Sequence, residues 1–258
     1  KIHNFKVLAS NKKNIASHAL LRKCDFTDYQ EKKLIEKISK NNRIFLIDCG
    51  SNFGFYSLFT ASLSSENRII SLEASPKTFQ DHKENIDLNN LKNIELYNLA
   101  VSDINNEILK LNESINDWES SIYRTNLEKI LTTSVKTITI DNLVSKKNLE
   151  NFMLIIKLDV EGYEFNAISG AINAIKNNNP LIIIEMSKFM QSNKKYNLDF
   201  LREFLKNFDY CIFDSKFKKI SIDQVINKLD NLPKGHYTIG NNFLVKNNSK
   251  LENIILNL

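Results

Sequence analysis

The chain has 258 residues, 42% hydrophobic and 25% charged, with a net charge of +5. That length supports one large α/β domain with its own core, and the even scatter of Lys among Asp and Glu argues against a nucleic-acid groove. No apolar run reaches bilayer length, the first residues lack the basic-then-apolar pattern of a secretion leader, and Cys24, Cys49 and Cys211 at unrelated spacings suit a reduced, cytoplasmic setting.

The chain opens on Lys1 rather than Met, as a fragment of a longer protein would. Between Asp28 and Ile38, the apolar residues Tyr29, Leu34, Ile35 and Ile38 recur at helical spacing, which predicts an N-terminal helical cap over residues 1–43. From Ile44 onward strands and helices alternate, the signature of a doubly wound, mostly parallel sheet with helices on both faces. Strands are expected at Ile44–Asp48, Arg68–Glu73, Ile94–Asn98, Leu154–Leu158, Leu181–Glu185 and Tyr210–Phe213. Helices are expected at Gly54–Leu63, Pro76–Asn89, Tyr163–Asn177 and Leu198–Asn207; Pro76 suits a first helical turn. Between Ser102 and Leu149 the alternation breaks into two period-two segments, Glu107–Leu111 and Val135–Ile140, around a polar loop carrying Trp118, Ser120 and Ser121. This predicts an insertion near 104–140 over the sheet edge, whose loop is either exposed surface with no ligand role or a substrate contact. Tyr237–Val245 reads as a last strand interrupted by a Gly/Asn turn, and no boundary divides residues 44–258.

The chemistry concentrates where strands end, because in an open parallel sheet the ligand crevice lies beyond the carboxyl ends. The first strand runs into Asp48, Gly50, Ser51, Asn52 and Gly54, a turn of small residues opening a helix. The second ends in Glu73, where a ribose needs an acceptor; Asp159 and Glu161 follow the fourth strand and Glu185 closes the fifth. The turn lacks the G-x-G-x-x-G spacing of dinucleotide enzymes, and no G-x-x-x-x-G-K-[ST] loop is present. The cofactor implied has an adenosine and no phosphate, which S-adenosylmethionine satisfies. On that reading Asp48 and the backbone of Gly50, Ser51, Asn52 and Gly54 meet its amino acid end, Glu73 and Ala74 its ribose, and Ala100 with Val101 its adenine.

The blocks Asp48-x-Gly50-x-Asn52-x-Gly54, Leu72-Glu73-Ala74-Ser75-Pro76, Asn98-Leu99-Ala100-Val101-Ser102-Asp103 and Ile156-Lys157-Leu158-Asp159-Val160-Glu161-Gly162-Tyr163-Glu164, with Ile183-Ile184-Glu185 downstream, resemble the FkbM-type methyltransferases over about residues 44–246. The Lys-x-Asp-x-Glu-Gly-x-Glu block is the most specific of them. The resemblance implies a class I methyltransferase, Rossmann-like fold on a seven-stranded sheet whose last strand is antiparallel. It also implies O-methylation of hydroxyls on sugars, polyketides or related small molecules. Ala74 departs from the family, which often has proline there.

Methyl transfer from a sulfonium needs the acceptor oxygen held in line, and a base within reach adds roughly 10² to 10⁴ in rate. Asp159 and Glu161 are the catalytic candidates, just past a central strand; Lys157 either opposes their repulsion or faces the other side of the sheet. The same two acids could hold a divalent cation, but two carboxylates fall short of the six or so oxygens such an ion takes, so no metal is assigned. Of the histidines, His3, His18, His82 and His236 share no metal-like spacing; His82 is expected to turn away from the crevice. The expected partner is a small-molecule or glycan substrate, with no nucleic acid, no membrane span and no inference about oligomeric state. A nucleic-acid methyltransferase often carries Asn-Pro-Pro-aromatic after the fourth strand, where this chain has Asp159-Val160-Glu161-Gly162. A non-catalytic binding module on the same fold is the remaining alternative, and intact Asp48, Glu73 and Asp159 weigh against it.

Overall fold

The computed structural model describes residues 5–7, 28–114, 120–121, 130–192 and 197–258; Cys24, His3, His18 and Trp118 lie outside them. In chain order the strands are β1 (Arg43–Cys49), β2 (Arg68–Leu72), β3 (Ile94–Tyr97), β4 (Ala100–Val101), β5 (Ile108–Ser114), β6 (Ser120–Ser121), β7 (Ile130–Ile138), β8 (Phe152–Leu158), β9 (Leu181–Ser187), β10 (Tyr210–Phe213), β11 (Lys219–Ile220) and β12 (Thr238–Lys246). The helices are α1 (Tyr29–Ser39), α2 (Phe55–Leu63), α3 (Pro76–Asn89), α4 (Ile140–Val144), α5 (Glu164–Ser169), α6 (Ile172–Asn178), α7 (Leu198–Phe208), α8 (Ile222–Asp230) and α9 (Lys250–Leu256), with a 3-10 turn at Lys188–Ser192.

The main sheet has the order β11-β10-β12-β9-β8-β1-β2-β3. Strands β3, β2, β1, β8 and β9 run parallel, and β12 lies antiparallel to both β9 and β10. These are the seven expected strands. The eighth, β11, is a two-residue edge strand antiparallel to β10, too short for its period to register in sequence.

Central strands read as nearly unbroken apolar runs because both faces are covered. Ile44, Leu46, Ile155 and Ile183 point to one side, against Ile35 of α1, Phe59 of α2 and Ile255 of α9. Phe45, Ile47, Ile156 and Ile182 point to the other, against Ile140 of α4, Phe165 of α5, Leu201 of α7 and Val225 of α8. The chain order reverses between β1 and β8, so the crevice opens beyond their carboxyl ends.

Three expectations need correction. The helix expected over Tyr163–Asn177 is two helices, α5 and α6: a Cβ on Gly170 would come within 2.1 Å of the Ser102 carbonyl, so the chain must pass there bare. The segment expected to run as a strand to Ile140 stops at Ile138, where Thr139 caps α4 by accepting from the Asn142 N–H. Helices α8 and α9 were not anticipated, although Ser221 and Gln224 form a capping box at the start of α8. The insertion is a hairpin of β5 and β7 in a second sheet of order β4-β7-β5-β6. It joins the main body where β4 pairs with Thr137 and Ile138 of β7. No helix among the described residues is long and apolar enough to cross a membrane.

Candidate functional site

The turn after β1 is shaped by two residues that no side chain could replace. Gly50 has φ +72°, and a Cβ there would sit 1.8 Å from the Asp159 carbonyl oxygen. Gly54, at φ +95°, opens α2, and a Cβ there would meet the His82 ring at 2.1 Å. Between them the N–H groups of Gly50 and Ser51 both donate to the Leu72 carbonyl, at 3.0 and 2.9 Å, stitching the turn to β2. His82 of α3 is fully buried and its Nδ1 lies 3.0 Å from Ser51 Oγ. Burial lowers its pKa to about 3, so the ring is a neutral wedge behind the loop.

Glu73 ties the loop to the end of β2. Its two carboxylate oxygens accept from the Asn52 N–H at 2.8 Å and the Ser75 N–H at 2.9 Å. The Asn98 amide donates to the carbonyls of Glu73 and Ala74, at 2.8 and 3.0 Å, fixing the backbone from β3.

The pocket over this turn is lined by five of the eight expected cofactor residues, Gly50, Asn52, Glu73, Ala74 and Ala100, together with both expected catalytic acids, Asp159 and Glu161. Asp48, Ser51 and Gly54 stand behind its wall. Asp48 is fully buried, with Oδ2 accepting from the Ser57 hydroxyl at 2.6 Å, so it braces the loop rather than facing the pocket. Sequence reasoning passed over Leu111, which the β5–β7 hairpin delivers to the wall, and Tyr163 and Thr78. Leu111 packs with Ala100 and Val135 into a small apolar cluster, with Ala74 against it. The wall thus has an apolar end at Leu99, Ala100, Val101 and Leu111, and a polar end at Asp159 and Glu161. Among the described residues it carries three carboxylates and neither Lys nor Arg.

At the polar end, the α1/α2 face of the sheet carries a ladder of ionisable groups. Lys157 of β8 stands beside Asp48 of β1 in register, and on the other side beside Ile183 of β9. It shares its face with Asp159, which corrects the alternative that it faces away. Its Nζ lies 3.0 Å from Asp159 Oδ2 and 4.7 Å from the centre of the Tyr56 ring. Burial alone would lower its pKa, but Asp159 and Asp48 outweigh that and raise it. Lys157 is therefore the fixed cation under the acids. Burial raises the pKa of Asp48 against the pull of Lys157 and Ser57. Among the described residues Asp48 Oδ1 has no hydrogen-bond partner.

Glu161 adopts φ +53° and precedes Gly162 at φ +107°, a backbone region that a side-chain-bearing residue enters only when its surroundings hold it there. Glu164 supplies the hold: buried at the head of α5, its carboxylate accepts from the N–H of Val160 at 3.1 Å and of Gly162 at 3.0 Å. Burial raises its pKa to about 7, against those backbone donors.

The third acid is Glu185. Carboxylate oxygens of Asp159, Glu161 and Glu185 all lie within 4.8 Å of one another. Glu185 pairs in register with Asn241 of β12. Asn241 reaches across to Tyr56 at 3.5 Å and hydrogen-bonds Glu31 of α1, while the Tyr56 hydroxyl donates to Asp28 at 2.6 Å. Residues from β8, β9, β12, α1 and α2 therefore meet at one end of the pocket. His236 lies outside this group, in the exposed approach to β12.

The model of the FkbM methyltransferase domain matches residues 48–212, from the loop acid to β10. The chain belongs to the FkbM methyltransferase domain family. S-adenosylmethionine is the cofactor this family membership implies, and the wall fits it: an acceptor carboxylate at Glu73, apolar surface for a base, and no cationic group for a phosphate. Among solved structures, the chain is similar to the methyltransferase FkbM from Methylobacillus flagellatus KT, at 16% identity and a TM-score of 0.45 over 81% of this chain and 47% of that one. The chain thus spans about half the length of that protein. It is also similar to precorrin-6y C5,15-methyltransferase from Geobacter metallireducens GS-15, at 10% identity and a TM-score of 0.42 over 94% of this chain and 93% of that one. A Streptococcus mutans protein described as a methyltransferase, in complex with SAH, matches at 11% identity and a TM-score of 0.45 over 82% of this chain and 94% of that one. No curated protein sequence matches the chain.

Proposed function

We propose that the chain is an S-adenosylmethionine-dependent O-methyltransferase that methylates a hydroxyl of a sugar, glycan precursor or related small molecule. The observation that carries this reading is the charge of the pocket wall, three carboxylates with no Lys or Arg among the described residues. Such a wall repels a phosphorylated nucleotide and attracts a cation. When bound, S-adenosylmethionine supplies an electrophilic methyl group on a sulfonium. Glu73 would accept from the ribose hydroxyls, Gly50 and Asn52 would present backbone to the amino acid end, and Ala74, Ala100 and Leu111 would cover the adenine. Asp159 and Glu161 would receive hydrogen bonds from the acceptor and orient its hydroxyl, with Lys157 balancing part of their charge. A nucleic-acid acceptor is disfavoured by the same carboxylates, which would face its phosphates. Residues up to 43 serve, on this proposal, as a cap: among those described, Asp28 just before α1 and Glu31 within it stand at the polar end.

A labelled methyl-transfer assay with the purified chain, run against glycan, lipid, RNA and protein fractions of the source cells, tests the reading. Label is expected in the glycan or small-molecule fraction. Label confined to RNA or protein overturns the acceptor class, and no transfer to any fraction overturns the enzyme assignment. Asp159→Asn and Glu161→Gln are each expected to bind S-adenosylmethionine and to lose turnover; full activity in both would remove them from the mechanism.

A further inference from the structure

Asp159, Glu161 and Glu185 converge, but they are not equivalent. Asp159 has Oδ2 engaged by the Lys157 ammonium at 3.0 Å. Glu161 sits at the tip of a turn in the left-handed region, its placement fixed by the Glu164 carboxylate behind it. Among the described residues, Glu185 has neither a cation within ion-pair distance of its carboxylate nor a backbone turn to cap. Its neighbours are Asp159 and Glu161 on one side and Asn241 on the other, and the Thr238 hydroxyl proton is shared between it and the Met186 carbonyl. Behind Lys157 and Asn241 stand Asp48, Glu31, Asp28 and Tyr56.

Just past Glu185 the surface becomes aromatic. Phe189 and Tyr237 stack with centroids 5.4 Å apart and planes 29° apart, and Tyr237 is 52% exposed. The Lys188 N–H donates to the Tyr237 carbonyl at 2.8 Å, which fixes this pair to the ends of β9 and β12. An apolar face beside a carboxylate is a platform on which a ring-shaped polyol can lie with its hydroxyls turned to the acid.

We propose that Glu185 is the group that takes the proton from the acceptor hydroxyl, with the acceptor seated between the Phe189–Tyr237 pair and the three carboxylates. This rests on the methyltransferase reading and deepens it. The acceptor's O–H bond breaks and its proton passes to a Glu185 oxygen, while the freed oxygen pair forms the O–CH₃ bond and the carbon–sulfur pair of the donor stays on sulfur. The carboxylic acid returns its proton to solvent when the next sulfonium donor arrives. Burial first, then the charges of Asp159 and Glu161, raise the Glu185 pKa to about 8, so the residue carries a proton at neutral pH until a cation arrives beside it.

That property permits a test needing no acceptor. S-adenosylmethionine and its neutral thioether product, S-adenosylhomocysteine, are titrated calorimetrically into the full chain at pH 7.5, in two buffers of different ionisation enthalpy. The arrival of a sulfonium expels the Glu185 proton, so the wild type is expected to release more protons than Glu185→Gln on binding S-adenosylmethionine. No such difference is expected with the thioether. Glu185→Gln, which cannot gain the charge, is expected to bind S-adenosylmethionine about 10- to 30-fold more weakly than wild type and the thioether equally, and Glu185→Asp to restore the release, which a merely structural loss would not. Equal release from wild type and Glu185→Gln, with both binding, overturns the Glu185 role and leaves the methyltransferase reading standing. Failure of the wild type to bind S-adenosylmethionine overturns both. In the fraction that takes label, Glu185→Gln should lose about 10²- to 10⁴-fold in kcat with a flattened pH profile, and a wild-type kcat would overturn the assignment.

Discussion

The two ends of the pocket are built by different means. At the Glu73 end, a run of contiguous residues folds back on the next strand: backbone N–H groups of Gly50 and Ser51 reach the Leu72 carbonyl, and Glu73 collects the N–H of Asn52 and Ser75. The donors there are backbone N–H groups, and the one charged group, Glu73, is held by two of them, so this is the electrically quieter end. At the Asp159 end, side chains from five elements meet, and their charges shift one another, as Asp159 and Glu161 do to Glu185 and as Asp48 and Asp159 do to Lys157. One end is rigid because its hydrogen bonds are satisfied, which suits an invariant cofactor. The other keeps unbalanced charge, the condition under which a carboxylate can move a proton near neutral pH.

The sharpest way to break the comparison is at the seam. Gly50→Ala places a Cβ against the Asp159 carbonyl in a backbone region closed to it, so both ends should fail together, with a stability loss of about 4 to 5 kcal/mol by urea unfolding. A stable Gly50→Ala protein would show that the turn can be remade. Lys157→Met removes the fixed cation from between Asp48 and Asp159 and is expected to lower stability by about 3 to 5 kcal/mol, while leaving the Glu73 contacts intact. Chemical denaturation at pH 7 reads it, and an unchanged midpoint would mean the ladder is not held by charge.

Glu73→Ala tests the quiet end alone. Removing an acceptor of two N–H bonds and of the proposed ribose contact should weaken S-adenosylmethionine binding about 10- to 100-fold by calorimetry. Unchanged affinity would contradict the ribose assignment. The smallest effect concerns the noisy end. The folded-state pKa of Glu185 is raised, so its share of stability is present below the unfolded-state value and is lost as pH climbs towards about 8. Glu185→Gln lacks that ionisation, and its Tm relative to wild type should therefore rise by several degrees between pH 5 and 8.5. A pH-independent difference would place Glu185 away from its charged neighbours.

Much of the Glu73 end was legible beforehand. The strand-to-turn passage from Ile44 to Gly54 and the acid after β2 obey local backbone rules, and Gly50 and Gly54 sit where only glycine fits. Even so, which loop residues face the ligand was not legible: Asp48, Ser51 and Gly54 turn to Ser57 and His82 instead. The alternation of side chains along a strand does place Lys157 on the face of Asp159, a signal available in the sequence but not applied. Glu185 was visible as a strand-end acid, but its meeting with Asp159 and Glu161 depends on β9 lying beside β8 in a particular register.

Sequence by itself determined the alternating elements, the glycine turn, the missing phosphate loop and the acids at strand ends, because these follow from dihedral limits, side-chain periodicity and chemistry carried by neighbours in the chain. Only the tertiary structure decided that His82 wedges the loop from α3, that Leu111 closes the wall from the hairpin, and that Asn241 of β12 stands within reach of Tyr56 in α2, 185 residues away. Electrostatic and packing forces act across space, so the charge of a carboxylate cannot be assigned until the fold has chosen what stands beside it.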